Sequence, residues 1–449
     1  MTKSSKSAPG PKPAPLIGNM REMNKFGIIG FGQHVWQEYG DVSRFQFGPM
    51  RAHLFVRPEH VKHILVEHRE NYTKGASNDK LRMWLGRAIL TSDGAEWQRQ
   101  RRLMAPTYTP KNITRFAEIM IATACEMRDR LMARRGQAVN INAEMVRLTT
   151  SIISRSMFTE DIVDASSKVD VALQVILGQS VQRMTSPVDL PLFIPTPANR
   201  AYRWAVHTLD SFIYEIIERR RAQSEGNDLL WLLIQARDQE TGSVMDNRQL
   251  RDEVLVTFFA GHETTAQLLT WVWKLLSENP EVEAKLHEEL SHILNGRTPT
   301  LEDVPSLTYT RMIIDETLRL YPPVAMFPRD VINDDLIGGY SIPKGTMVFV
   351  GPYMTHRHPE FWERPLEFYP EHFAPGQADK RPQYSYYPFS AGPRTCIGNH
   401  FALLEATLVL AELAQRLTLR LSAGQNLEPE FVGTLRPSKA TLMMNITAR

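Results

Sequence analysis

The stretch around Cys396 constrains the fold more than any other part of the sequence. It reads Phe-Ser-Ala-Gly-Pro-Arg-Thr-Cys-Ile-Gly over residues 389–398. Gly392 and Gly398 allow the backbone to turn tightly and to come close to a flat group. Strongly helical residues follow Gly398, so we expect Cys396 just before or within a helix N-terminus, where the pKa of a thiol falls. Arg394 adds a cation suited to a carboxylate partner.

An isolated cysteine is more often a buried, inert side chain than a ligand. Here, however, the spacing Phe-x-x-Gly-x-Arg-x-Cys-x-Gly is matched in full, and it resembles the haem-binding signature of the cytochrome P-450 superfamily. The resemblance implies that Cys396 is the thiolate ligand of the iron in haem b, and that Phe389 packs beside the sulfur. A thiolate ligand favours O–O cleavage. A zinc site on Cys396 and His400 is excluded, because Cys125 has no neighbouring His or Cys.

A long helix is predicted from near Asp246 to Asn279, where asparagine and proline stop it. At 1.5 Å per residue it would be roughly 45–50 Å long. Inside it, Gly261 costs about 1 kcal/mol relative to alanine, and a buried Glu263 costs more unless it is solvated or paired. We therefore predict a functional break in this helix, where a flat cofactor or O₂ meets the backbone.

The residues from Ala260 to Thr265 resemble the oxygen-activation motif of the same superfamily. The resemblance implies that Thr264 holds O₂ and a water by hydrogen bonds, and that Glu263 connects the site to bulk protons. For Thr265 the plainer interpretation is favoured, in which its hydroxyl bonds back to a carbonyl one turn earlier. A zinc-protease motif would need a histidine where Ala266 stands.

Further residues match positions that contact the haem propionates in that superfamily. Trp97 and Arg101 are four residues apart, so both can point the same way from one helical turn. Arg329 matches a second propionate contact at the start of a strand, and Arg394 would be a third cation.

Arg101 also has a plainer interpretation. Arg99 and Arg102 stand beside it, so the three could form a solvated basic face. Alternatively, the two extra arginines could dock an acidic electron donor.

Glu316 and Arg319 lie at i and i+3, a spacing that is usually a surface ion pair of little value. The prolines that follow end the helix, and the run resembles the Glu-x-x-Arg helix of the superfamily. The resemblance implies a structural role, in which the pair holds a later loop at residues 368–373. Most relatives have an arginine where this chain has His372, so we expect the third member of this triad to be weaker or pH-sensitive.

The fold class predicted is mainly α with small β-sheets. Residue patterns typical of β-strands occur at residues 42–57, 335–353, 417–421 and 440–446. Elsewhere the pattern of residues mostly has the period of an α-helix. No repeat or linker divides the chain, so we expect a single domain over residues 1–449, with a Pro-rich segment at 1–20. The resemblance implies a cytochrome P-450-like fold with haem between the long helix and the helix after the cysteine loop.

Composition excludes several classes of protein. The formal net charge of +2 gives no support to nucleic-acid binding, and two cysteines exclude a disulfide framework. The N-terminus lacks the apolar core of a signal peptide, and the sequence indicates no transmembrane segment, so we expect a soluble, cytoplasmic protein.

The function predicted is hydroxylation or epoxidation of an apolar small molecule, such as a fatty acid, terpenoid or carotenoid. It would use O₂ and two electrons from a separate ferredoxin- or flavodoxin-type donor with its reductase. Segments 76–90, 171–192, 258–263, 324–327 and 433–435 are apolar enough to shape a substrate cavity, although many of these residues are expected to be core. The alternatives are a peroxide-driven peroxygenase and a non-catalytic haem sensor or ligand-binding protein. Glu263 and Thr264 favour the monooxygenase.

Overall fold

The computed structural model describes residues 6–159, 167–185, 190–223, 225–425 and 427–449. It is 57% helical, which confirms the mainly helical fold class. The α-helices of the described residues are α1 Met20–Tyr39, α2 Pro58–Lys62, α3 Gly75–Leu85, α4 Gly94–Met104, α5 Pro110–Ile113, α6 Ala117–Met132, α7 Ile141–Phe158, α8 Ser167–Thr185, α9 Pro197–Arg221, α10 Leu229–Gln235, α11 Asn247–Glu278, α12 Pro280–Leu294, α13 Thr308–Leu320, α14 Pro352–Thr355 and α15 Asn399–Ala414.

The strands are short and form four small sheets among the described residues. They are β1 Val42–Phe47, β2 Met50–Phe55, β3 Tyr72–Thr73, β4 Ala138–Asn140, β5 Phe327–Val331, β6 Asp335–Ile337, β7 Tyr340–Ile342, β8 Met347–Val350, β9 Leu417–Leu421, β10 Pro429–Val432, β11 Thr434–Pro437 and β12 Met443–Ala448. No helix of the described residues is long and apolar enough to span a bilayer.

The contacts of the chain group it into two compact units. Unit 1 comprises Met1–Ala76, Arg311–Cys396 and Asn426–Lys439, and unit 2 comprises Ser77–Thr310, Ile397–Gln425 and Ala440–Arg449. Each unit is assembled from segments that lie far apart in sequence. The sequence therefore contains no single linker segment that separates the two units. The single domain over residues 1–449 stays a prediction.

Unit 1 contains a five-stranded sheet in the order β1-β2-β8-β5-β3. The predicted strand segment 42–57 forms a hairpin, in which Phe47 pairs with Met50 and Val42 with Phe55. Within the predicted segment 335–353, a second hairpin joins β6 to β7. Residues 6–19 of the Pro-rich segment form no helix, and the carbonyl of Pro9 accepts a hydrogen bond from the Arg44 amide at 2.8 Å.

Unit 2 is built around α11, whose bounds agree with the predicted long helix. Asp246 caps its N-terminus by accepting a hydrogen bond from the Gln249 amide at 2.7 Å. The helix packs against α7 and α15, and most of its side chains are therefore buried. The C-terminal strand starts at Met443 rather than at the predicted Ala440, because Ala440 has a positive φ of 50°.

Candidate functional site

The cysteine loop of unit 1 is closed by its own hydrogen bonds. The Cys396 amide donates to the Phe389 carbonyl at 2.9 Å, and the Thr395 hydroxyl donates to the Gly392 carbonyl at 2.7 Å. Cys396 is exposed, which contradicts the alternative of a buried, inert cysteine. Phe389 and Arg394 in the same loop are half-buried.

Gly392 is required by the shape of this loop. Its φ is +69°, and a Cβ atom there would lie 2.4 Å from the carbonyl oxygen of Leu65. Leu65 belongs to the π-helical turn His63–Glu67, so the cysteine loop packs directly against that turn. Any side chain at position 392 would displace the loop that carries Cys396.

The second glycine of the motif, Gly398, has a different structural role. Gly398 is the N-cap residue of α15, and its carbonyl accepts a hydrogen bond from the Ala402 amide at 2.9 Å. The helix begins three residues after Cys396, which agrees with the predicted position of the cysteine.

Arg329 is a buried cation on β5. It is 6% exposed, and its Nη1 donates to the carbonyl of Pro328 at 2.7 Å. It is the third residue of the strand Phe327–Val331. Burying a guanidinium is costly, so a buried arginine is a reasonable residue for anchoring an anionic group.

Trp97 and Arg101 lie one turn apart on α4 of unit 2. Both side chains are half-buried. Because residues four apart share one face of a helix, both side chains can point the same way. That they contact a common partner stays a prediction.

The arginines beside Arg101 do not form an open basic face. Arg102 Nη2 lies 3.2 Å from Asp238 and 3.0 Å from Glu240, and Arg99 Nη1 donates to Gln249 Oε1 at 2.9 Å. Asp238 is 1% exposed. Donors of both arginines are therefore already engaged within residues 238–249. That the two arginines dock an acidic electron donor stays a prediction.

The predicted break in α11 is also wrong. The helix is continuous through the motif, and the position of the missing Cβ of Gly261 lies 2.9 Å from Cδ1 of Ile153 on α7. The close approach of α7 explains the glycine. That Gly261 also contacts a cofactor stays a prediction.

The two threonines of the motif differ from expectation. The Thr264 hydroxyl donates to the Ala260 carbonyl at 2.8 Å, which is the back-bond expected for its neighbour. Thr265 is buried, and its hydroxyl lies beside the carboxyl group of Glu405 instead. Glu263 is half-buried, and its Oε1 accepts a hydrogen bond from Gln267 at 3.3 Å.

Glu405 on α15 was missed by the sequence reasoning. It is fully buried, and this burial raises its pKa well above the usual value, an effect that the neighbouring Thr265 hydroxyl only partly opposes. Burial therefore favours the protonated, neutral form of this carboxyl group. The sequence did contain a sign of this buried carboxyl group, because Glu405 is the one charged residue in the largely apolar run from Phe401 to Ala411.

Two acidic residues at the start of α11 were missed as well. Asp252 accepts a hydrogen bond from the Arg87 amide at 2.8 Å, and Glu253 accepts one from the Ile89 amide at 2.9 Å. A Cβ on Gly86 would lie 2.1 Å from the Asp252 carboxylate. These carboxylates fix the loop after α3, which contains part of a predicted cavity segment.

Glu316 and Arg319 form a fully buried ion pair in unit 1. Arg319 donates to the Glu316 carboxylate through Nε at 2.8 Å and Nη2 at 2.7 Å, and both side chains are 0% exposed. The guanidinium also donates at 2.7–2.8 Å to the carbonyls of His356, Pro365 and Glu367.

His372 joins this pair. Its Nδ1 lies 3.1 Å from Glu316 Oε2, and its Nε2 lies 2.6 Å from the Glu363 carbonyl. Both partners are acceptors, so only the doubly protonated imidazolium makes both bonds. The Tyr369 amide donates to Glu316 at 2.9 Å.

Part of the predicted cavity lining is core. Ala325 and Leu435 are 0% exposed and belong to one hydrophobic cluster of unit 1. In unit 2, Phe259 packs edge-on against Trp84, with ring centroids 5.2 Å apart. The segment 171–192 lies partly outside the described residues.

Comparisons with known proteins agree with these observations. The family model described as Cytochrome P450 matches residues 8–444. Two relatives come from Streptomyces melanosporofaciens. Cyclooctatin synthase is 35% identical over 394 residues, covering 87% of this chain and 85% of that protein. Cyclooctat-9-en-7-ol 5-monooxygenase is 36% identical over 395 residues, covering 87% and 84%.

A solved structure supports the same assignment. The crystal structure of the heme domain of a cytochrome P450DA mutant has a TM-score of 0.90 and 25% sequence identity, and the match covers 99% of this chain and 98% of that one. The chain therefore belongs to the cytochrome P450 family and is a haem-dependent monooxygenase.

Proposed function

We propose that this protein inserts one oxygen atom of O₂ into an apolar small molecule, with haem b bound through the thiolate of Cys396. The observation that carries the proposal is the exposed Cys396 side chain. It stands on a loop whose shape is fixed by its own hydrogen bonds and by the contact of Gly392 with Leu65. An exposed thiol on a loop of fixed shape can reach a metal ion.

The donor set fits haem b in its chemistry. Haem b would be held by one thiolate and by partners for its two propionates. Cys396 would supply the thiolate, and the resemblance to the family implies that Trp97, Arg101, Arg329 and Arg394 contact the propionates. When bound, the haem would supply the activation of O₂.

Glu263 and Thr264 would deliver the protons. The reaction consumes the substrate R–H, O₂, two electrons and two protons, and it yields R–OH and water. The half-buried Glu263 carboxylate can exchange a proton with solvent. The Thr264 hydroxyl donates a hydrogen bond to the Ala260 carbonyl. The lone pairs of Oγ1 can therefore still accept a hydrogen bond.

The substrate proposed is an apolar carbon skeleton, such as a fatty acid, terpenoid or carotenoid. The apolar segments around Phe258 and Phe259 support this. The name of one relative, cyclooctat-9-en-7-ol 5-monooxygenase, describes an unsaturated alcohol with a single hydroxyl group. A terpenoid-like alkene or alcohol is therefore the first class to screen, by substrate-induced spectral shift followed by product analysis.

The electron donor proposed is a separate ferredoxin- or flavodoxin-type protein with its reductase. The reaction needs two electrons, and a donor of this type would supply them.

The haem ligand is tested by the CO difference spectrum of the reduced protein. Wild type should give a Soret band at the long wavelength typical of thiolate ligation, and Cys396→Ser should abolish it. Cys125→Ser is the matched control, because Cys125 lies elsewhere on α6, and it should keep the band. A histidine-type band in wild type, or an unchanged band in Cys396→Ser, would contradict the proposal.

A second arm of the experiment separates monooxygenase from peroxygenase activity. Thr264→Ala should reduce turnover with O₂ and a reductase pair by about 10²-fold or more, while peroxide-driven turnover should change little. Thr264→Ser keeps the hydroxyl and should retain most of the O₂-dependent rate. Wild-type turnover that is faster with peroxide than with O₂ and the reductase pair would favour the peroxygenase.

A further inference from the structure

A cluster of potential metal ligands lies on the π-helical turn of unit 1. His63, Glu67 and His68 each offer one ligand atom, and these atoms all lie within 4.8 Å of one another. Among the described residues no other group of three histidine, cysteine or acidic side chains meets this spacing. None of the three was singled out from the sequence, and none belongs to the haem-ligand loop.

The π-helical geometry brings the two histidines together. In an α-helix, residues five apart would be rotated by about 140° around the axis and would face apart. Here the His68 amide donates to the His63 carbonyl at 2.9 Å, an i→i+5 hydrogen bond. The two imidazole rings consequently stack, with centroids 4.0 Å apart and an interplanar angle of 24°. Such turns are rare and frequently mark functional sites.

One histidine is already oriented by a carboxylate. His63 Nε2 lies 2.9 Å from Asp335 Oδ2, and the Tyr72 hydroxyl donates to the same oxygen. The side chains of His63 and Asp335 are only 19% and 16% exposed. Metal-binding histidines almost always use their second ring nitrogen in this way. Nδ1 of His63 is then the nitrogen left to bind a cation.

We propose that His63, Glu67 and His68 form a binding site for a divalent transition metal ion. Two imidazoles and one carboxylate suit Zn²⁺, Ni²⁺ or Cu²⁺, whereas Ca²⁺ and Mg²⁺ prefer sites made of oxygen. A water molecule would complete a tetrahedral Zn²⁺ site. Glu67 and His68 are exposed, so both can rotate toward an ion arriving from solvent.

The main competitor for the site is a lysine. Lys62 Nζ lies 2.7 Å from Glu67 Oε1, and their side chains are 47% and 46% exposed. An exposed pair of this kind is weak, so a divalent ion that also gains two nitrogen ligands should displace the ammonium group.

Metal binding would stiffen the support of the cysteine loop. The carbonyl of Leu65, in the middle of the π-helical turn, is the atom against which Gly392 is seated. An ion bridging both ends of the turn would therefore stabilise the fold of unit 1 by mass action, without being a haem ligand.

Isothermal titration of the untagged holoenzyme with Zn²⁺, and then with Ni²⁺, tests the site. Wild type should bind one ion that His68→Ala weakens by at least about tenfold, and Asp335→Asn should weaken it by about 10- to 100-fold. His292→Ala is the matched control, since His292 is an exposed histidine on α12 outside the cluster. It should bind as wild type does.

His68→Ala removes an exposed side chain, so loss of binding would not reflect loss of fold. Cu²⁺ added to the enzyme should give an electron paramagnetic resonance spectrum with nitrogen hyperfine structure that changes in His68→Ala. The proposal is overturned if wild type binds no ion at millimolar Zn²⁺, or if His68→Ala binds Zn²⁺ as tightly as wild type.

Discussion

Glu405 and Glu412 are two buried carboxyl groups on α15 with different partners. Glu412 forms an ion pair with Arg128 and accepts a hydrogen bond from Gln415 at 3.2 Å. Neither oxygen of Glu405 has a partner of good hydrogen-bond geometry within the described residues. A buried charge without a compensating cation is unfavourable, which is why burial raises the pKa of Glu405 well above its usual value.

Glu405→Gln is expected to stabilise the protein at neutral pH. Between the usual carboxyl pKa near 4.5 and the raised pKa, the folded state binds a proton that the unfolded state releases. Stability of the wild type therefore falls as pH rises through this window. The variant lacks this titration, so its advantage should be small near pH 4 and should grow toward pH 8.

Denaturant unfolding of both proteins across this pH range measures the difference. Glu412→Gln is the control, because it breaks the ion pair with Arg128 and should destabilise the protein at pH 7. A stability difference between Glu405→Gln and wild type that does not change with pH would contradict the raised pKa of Glu405.

At the scale of elements, Gly261 sets the distance between α11 and α7. A methyl group at this position would lie 2.9 Å from Cδ1 and 3.0 Å from Cγ1 of Ile153. Two effects oppose each other in Gly261→Ala: alanine favours the helix by about 1 kcal/mol, and overpacking costs about 1–3 kcal/mol. The contact with Ile153 decides the sign.

A double-mutant cycle separates these effects. Gly261→Ala alone should destabilise the protein by about 1 kcal/mol, since overpacking exceeds the gain in helix propensity. In the Ile153→Ala background the obstruction is gone, and the same substitution should stabilise by about 1 kcal/mol. Urea unfolding of the four proteins gives the coupling. Additive effects would show that Ile153 is not what excludes a side chain.

The sequence predicted those elements in which a periodic pattern extends over many residues or in which characteristic residues mark a turn. The helix α11 has 32 residues and a capping aspartate, and Gly338 and Gly339 mark the turn between β6 and β7. In contrast, β3 has two residues and β4 has three. Strands this short contain no readable alternation, and their partners β5 and β12 lie far away in sequence.

For the candidate site, the sequence motifs could predict which residues are involved but not which residues they contact. Cys396 and Gly392 follow from the spacing of the loop, whereas the contact of Gly392 with Leu65 depends on a turn more than 300 residues earlier. The pairing of Arg102 with Asp238 and the position of Glu405 beside Thr265 likewise depend on how distant helices pack. Tertiary contacts of this kind have no local signature.

At the scale of the whole chain, an irregular segment of unit 1 is held together by one buried ion pair. Residues 356–372 contain no α-helix or strand, yet three of their carbonyls accept hydrogen bonds from Arg319. Backbone acceptors can be any residue type, so the sequence could predict Glu316 and Arg319 but not their carbonyl partners. One guanidinium therefore satisfies three backbone carbonyls of a segment that has no α-helix or strand to satisfy them.

His372→Leu tests how much this arrangement depends on its third member. The change removes the bonds to Glu316 and to the Glu363 carbonyl, and a hydrogen bond to a charged group contributes about 1.5–3 kcal/mol. We therefore expect a loss of about 3 kcal/mol in the free energy of unfolding, together with new proteolytic cleavage within residues 356–372. His372→Arg keeps a cation and donors at this position, so it should lose less stability. If His372→Leu is as stable and as protease-resistant as wild type, Arg319 alone holds the segment, and the histidine is only a space-filling replacement for the arginine usual in relatives.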